Sequence, residues 1–340
     1  MDVTTAVSAE RWNALTEDER RTVAEQLLRQ LPQGFSLVGV EGRVARFEHD
    51  DRTFALVPGG PARIGFDVAR WQPSKDERKS WTRTVREHRL PELHDYLAQV
   101  TRRPREVEVA AMLVAMRPEE VGWEPLALDD PRIAELTRDV ERAGSPTIRG
   151  FSGDAQFELS YVDGRLGGAW LARKATHAEL AAGVERAGFR LPTSDEWEYL
   201  CGAGSSTLFR WGDHVPCDRY PPDLSVEQAG FRAKWATSGG ELKPPPGGFV
   251  SDWDRHRQPN ALGLHIAADP YQYELVAEAD VTRGGDGGSM ICGGLGYFMG
   301  WLPLATAWFD PAFCRRDPAA PIEVGYTVMR RVLPLTGRGR

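Results

Sequence analysis

Between Arg283 and Trp301 the chain reads RGGDGGSMICGGLGYFMGW, with eight glycines around the single cysteine Cys292. A thiol does chemistry as the thiolate, either as a nucleophile or as a soft metal ligand, and glycine lets backbone or ligand approach closely because it has no Cβ. The competing role is packing, since free cysteine is among the most buried residue types. A second constellation, His214-Val215-Pro216-Cys217, sets His214 and Cys217 three apart. Joined by Cys201 or Cys314 it would make a zinc or structural-metal site; alone it is an ordinary loop. The glycine run has no P-loop lysine and follows no βα pattern, which argues against a phosphate cradle there. No G-x-S-x-G elbow and no convincing Ser-His-Asp set is present, so hydrolysis is not expected.

The elements that must position these groups are legible in part. Thr16 to Glu19 fits a capping box, and Val23, Leu27 and Leu31 recur at four-residue spacing up to Pro32, so an amphipathic helix is expected there. Residues 35–57 read as a strand meander turning at Glu41-Gly42 and Asp50-Asp51. The charged stretch from Trp71 to Arg105 reads as a mostly helical insertion whose Lys75 to Lys79 run is a solvated face. Arg105 to Met116 begins with strand-like alternation, and Phe157 to Ala172 forms a hairpin around Asp163-Gly164. Thr176 to Glu179 and Thr193 to Glu196 are two further capping boxes, with stops at Gly188 and Gly202. After about Phe209 glycine, proline and tryptophan dominate, and GELKPPPGGF reads as loop.

Bulk composition bounds the function. The 340 residues, 41% hydrophobic and 27% charged, are globular in composition, and a net charge of −7 argues against a general nucleic-acid binder. No stretch approaches the roughly 20 apolar residues of a membrane span, and four cysteines in so long a chain are no secreted disulfide framework. These features lead us to expect a cytoplasmic protein with reduced thiols and no membrane or nucleic-acid partner.

The segment FRLPTSDEWEYLCGAG, Phe189 to Gly204, followed by FRWGD, resembles the signature of the formylglycine-generating enzyme (sulfatase-modifying factor) superfamily, which also holds the ergothioneine-type sulfoxide synthases. FALVPGGPARIGFD, QPNALGL, VTRGGDGGSMIC and GYTVMRR resemble further family segments in the right order, covering roughly residues 54–331. The resemblance implies an α+β, C-type-lectin-like fold, loop-rich with small sheets. It also implies three parts: an N-terminal helix and strand extension over 1–53, the family domain over 54–331 with the insertion at about 71–105, and a tail over 332–340.

The implied chemistry is an oxidoreductase reaction on a small thiol or a cysteine-containing peptide, with a thiol-bound copper(I). Gly287-Gly288-Ser289 leading to Cys292 matches the first half of that site and makes Ser289 and Cys292 the catalytic candidates. Tyr297 stands where the family has its second cysteine and cannot supply a soft sulfur ligand. Cys314 or His265 could complete a site with Cys292, and Tyr297, Trp301 and Trp308 would wall the substrate pocket. The other branch carries iron on two histidines four apart; the nearest pair here, His88 and His94, is six apart with Pro91 between. Of the family's calcium step only Glu274 survives. A family member without turnover, binding a ligand or partner protein on the same face, is the alternative expectation.

Overall fold

Capping boxes set the starts of the longer helices. In the computed structural model, which describes residues 7–137, 147–152, 155–223, 254–313 and 317–335, α1 (Ala9–Ala14) is followed by α2 (Glu17–Leu28), whose Thr16 and Glu19 cap each other reciprocally as expected. The same device opens α3 (Lys75–His88), through Ser74 and Glu77, where the sequence reading saw only a charge run. After α4 (Leu93–Val100) and the short α5 (Arg132–Leu136), boxes at Thr176 and Thr193 open α6 (His177–Arg186) and α7 (Ser194–Gly202). The left-handed stop of α7 falls on Ala203, at φ 49°, with Gly204 following at φ 88°. Two one-turn helices, α8 (Gly287–Cys292) and α9 (Tyr297–Trp301), lie in the glycine-rich stretch.

The meander forms as expected: β1 (Phe35–Glu41), β2 (Val44–His49) and β3 (Arg52–Val57) pair antiparallel. Next β4 (Gly60–Ile64) pairs with β5 (Arg105–Val109) across the intervening helices α3 and α4. β6 (Met112–Ala115) adds to β3. Beyond them come β7 (Glu119–Glu120), β8 (Trp123–Leu126), β9 (Thr147–Ser152), β10 (Ala155–Val162) and β11 (Arg165–Ala172). The hairpin of β10 and β11 turns at Asp163 and Gly164, both at positive φ, 49° and 73°, which is the backbone of a type I′ turn. The chain closes with β12 (Tyr273–Leu275), β13 (Thr282–Gly284), β14 (Thr327–Met329) and β15 (Val332–Pro334). The sheet orders are β1-β2-β3-β6-β15, β8-β11-β10-β9, β13-β12-β14-β7 and β4-β5. The architecture is α+β, with several small sheets that are antiparallel apart from the β12–β14 pair.

The boundaries expected at 53/54 and 331/332 both fall within one hydrogen-bonded sheet, because a strand's backbone groups need partners on both sides wherever they are buried. Ala24 and Leu27 of α2 pack with Val40, Phe47 and Phe54 on that sheet. The 71–105 stretch is likewise built into the core: Trp71, Trp81 and Leu97 share a cluster with Phe298, Trp301, Leu304 and Trp308. Helix α7 supplies Trp197, Leu200 and Cys201 to a third cluster with Val57, Val114 and Leu264. The GELKPPPGGF loop lies outside the described residues.

Candidate functional site

The segments that carry the family resemblance meet through buried charge. Arg190 grips Glu196 with both terminal nitrogens, at 2.6 and 2.7 Å, which fixes the entry to α7. Two residues on, the buried Glu198 faces Arg283 at 3.4 Å and Arg105 at 2.7 Å. Arg283 also donates to the Ser194 hydroxyl and to the Trp308 carbonyl. Burial pushes the Glu198 carboxyl up, while Arg283 and Arg105 pull it back down. Glu274, the surviving calcium-step residue, accepts from Arg330 at 2.7 Å, so its carboxylate is engaged by a guanidinium. These ion pairs join α7 to β13 and β12 to the residue that follows β14.

The glycine-rich stretch forms on top of that network. At Gly288 an added Cβ would stand 2.5 Å from the Tyr271 ring, and at Gly287 2.5 Å from Pro270. The space left by the missing Cβ atoms is therefore filled by the 270–271 turn, which lets α8 lie against it. The Asp286 carboxylate caps α8 by accepting from the Ser289 amide at 2.9 Å. Ser289 and Cys292 are both exposed, Cys292 being the last residue of α8. Trp301 and Trp308 are buried, 2% and 1% exposed, and their indoles donate to the carbonyls of Arg219 and Gly285. Neither Cys292 nor Trp308 lines any of the five cavities described for the chain, whereas Trp301 lines a 380 Å³ cavity together with His214 and His256.

The most spacious of these cavities, at about 790 Å³, is a groove between α3 and the loops at 215–220 and 294–297. From α3 it takes Asp76, Lys79, Ser80, Arg83, Thr84 and Glu87, one face at three- and four-residue spacing. The opposite wall carries Cys217, Tyr220 and Tyr297, the two tyrosine rings lying 4.7 Å apart. The Thr84 hydroxyl donates to the Leu295 carbonyl at 2.6 Å, and Ser80 accepts from the Phe298 amide, so α3 and the loop before α9 are bound together. Gly296 is required at that seam: its φ is 91°, and a Cβ there would lie 2.7 Å from the Thr84 hydroxyl.

Glu77 corrects the expectation of a solvated run. It is fully buried and accepts from the Ser74 and Val215 amides, and its Oε2 lies 3.1 Å from His214 Nδ1. The cap needs that carboxylate at the start of α3, and the 214–215 loop closes over it. His214 and Cys217, the proposed metal pair, line different cavities. The Cys217 thiol is pushed up to about 12, first by burial and then by Glu77, Asp76 and Asp218, so it stays protonated. Burial likewise pushes Cys201 up to about 12.

His265 has both ring nitrogens occupied: Nδ1 is 3.2 Å from the Arg257 carbonyl and Nε2 3.2 Å from the Arg117 guanidinium. A carbonyl only accepts and a guanidinium only donates, so the proton is on Nδ1 and the ring is neutral. Cys314, the other proposed partner of Cys292, lies outside the described residues. Among the described residues no three or more His, Cys, Asp or Glu side chains are grouped to hold a metal. Nor, among these residues, is any helix long and apolar enough to cross a membrane. The structure thus brings Cys217 and Tyr297 to one groove and separates them from His214 and His265. Sequence reasoning missed Ser80, Arg83 and Thr84, although the Ser74-x-x-Glu77 cap was a signal that a packed helix, with one face available, begins there.

No protein-family model matches the chain, and no curated protein matches it.

Proposed function

We propose that the protein is a divergent member of the formylglycine-generating enzyme superfamily that binds a peptide segment in the groove along α3. The observation that carries this reading is the wall of that groove. Tyr297, at the position of the family's second cysteine, lies against Tyr220 there, and the thiol beside it, Cys217, is held protonated. Ser74 and Glu87 are both in the lining, so the groove follows α3 for about 20 Å, enough for about six residues of extended chain. Lys79 and Arg83 lie between Asp76 and Glu87 along it, Arg83 contacting Glu87 at 3.3 Å, so the wall offers charges of both signs, while the tyrosines offer an amphipathic face. The family's cysteine-bearing peptide substrates agree with such an occupant.

One observation favours turnover instead: the Cys292 thiol is exposed, two residues before Gly294 in the groove lining. The readings separate experimentally. Selection from a displayed library of eight-residue peptides should enrich sequences whose retention falls in Arg83→Glu and Tyr297→Ala. Enrichment indifferent to both variants would end the peptide-groove reading. Stoichiometric copper or iron on the purified protein, with oxidation of a thiol substrate lost in Cys292→Ser, would replace binding by catalysis.

A further inference from the structure

A second cavity, about 380 Å³, opens beside the β2–β3 turn and is lined by Arg46, Arg52, Arg117 and Arg331, with His265, Asp51 and Glu119 among its other residues. It shares no residue with the groove along α3. Four guanidiniums against two carboxylates leave an excess of two positive charges in the lining, in a chain whose net charge is −7. We propose that this cavity binds a small soluble phosphomonoester through its dianionic phosphate, independently of what the groove binds.

The four arginines are not equivalent. Arg52 and Arg331 are braced on Glu119, at 2.9 and 2.6 Å, and Arg52 also donates to Asp51. They form a fixed rim and are largely neutralised by those acids. Arg46 donates one terminal nitrogen to Glu41, which lies outside the lining, and its buried Nε has no hydrogen-bond partner. Arg117 makes no ion pair among the described residues; its one hydrogen-bond contact is to the neutral Nε2 of His265, itself oriented by the Arg257 carbonyl. A neutral imidazole that accepts from a guanidinium positions it without cancelling its charge. Arg117 and His265 also line the adjoining 340 Å³ cavity, where Arg257 and Arg283 stand with Asp269 and Glu274. With Glu41 set against Arg46, the Arg117 guanidinium is left as the charge without an acid partner, and together with the other guanidiniums of the lining and a volume suited to a small molecule it matches a phosphate, whose several oxygens can accept from more than one guanidinium. Asp51 and Glu119 oppose indiscriminate anion binding.

The test is titration of the full chain with inorganic phosphate at pH 8, where it is mainly the dianion, at ionic strength held constant with chloride and read by calorimetry. Saturable binding is expected, weakened about tenfold or more in Arg117→Ala, partly restored in Arg117→Lys, and unchanged in the surface control Arg165→Ala. Thermal midpoints measured without phosphate establish that each variant is folded. Non-saturable heats, or equal affinity in folded Arg117→Ala, would overturn the site. Succinate binding as tightly as phosphate would overturn the phosphate class. Retention on phosphatidate vesicles at phosphate concentrations where inorganic phosphate does not bind would overturn the soluble ligand in favour of a lipid headgroup.

Discussion

Single residues in this chain divide by what surrounds the atom that could react. Cys292 is exposed, whereas Cys201 is sealed in the core and the Cys217 thiol is held protonated by burial and by the charges of Glu77, Asp76 and Asp218. Titration of the native protein with a thiol reagent should therefore show Cys292 among the fast thiols, with one fast equivalent lost in Cys292→Ser, and Cys201 reacting only after unfolding. Fast labelling of Cys201 in native protein would contradict the packing of α7. His265 makes the pH prediction. Desolvation first, then Arg117, Arg210 and Arg330, hold its imidazole below the ordinary value, with the Arg257 carbonyl opposing them. The unfolded chain then takes up the proton more readily than the folded one. The stability due to the neutral ring is complete above the ordinary imidazole range of about 6.5 and is lost as pH falls below it toward the depressed folded value. Melting midpoints from pH 8 to pH 5 should fall less steeply in His265→Gln than in the parent; identical slopes would show that the ring does not titrate as placed.

At the scale of elements, short pieces hold their places by close approach and by capping. Helix α8 has a single turn and would not persist alone, yet Gly287 and Gly288 let it lie on Pro270 and Tyr271 while Asp286 caps it. Gly288→Ala should destabilise the protein by about 1–3 kcal/mol through the Tyr271 clash, measured by denaturant unfolding. Tyr271→Ala combined with it should recover part of that loss, and strict additivity of the two changes would mean that the contact is not where the destabilisation arises. The capping boxes at Thr16, Thr176 and Thr193 were readable because the cap is a local pattern of side chain and backbone. Ser74 to Glu77 carries the same pattern but was read as a solvated charge run, since the carboxylate's second partner, the Val215 amide, is 138 residues away.

For the whole molecule, the N-terminal strands and the C-terminal strand share one sheet, the N-terminal helices pack into its core, and residues of the 71–105 stretch share a cluster with α9. Unfolding should accordingly follow one transition in both tryptophan fluorescence and far-ultraviolet circular dichroism, and Trp12→Ala should lower stability by about 3–5 kcal/mol, since that side chain is 1% exposed. Early separate melting of α1 and α2 would show that the extension is not part of the core. The sequence by itself determined the capped helices at Thr16, Thr176 and Thr193, the β1–β3 meander and the Asp163-Gly164 hairpin, because caps, turns and alternation are written in neighbouring residues, while the α+β class came from the resemblance. Only the tertiary structure decided that the glycines around Cys292 receive Pro270 and Tyr271, that His214 and Cys217 line different cavities, and that four arginines from residues 46 to 331 line one pocket. Those outcomes depend on which distant segments come into contact, and spacing along the chain carries no record of that distance.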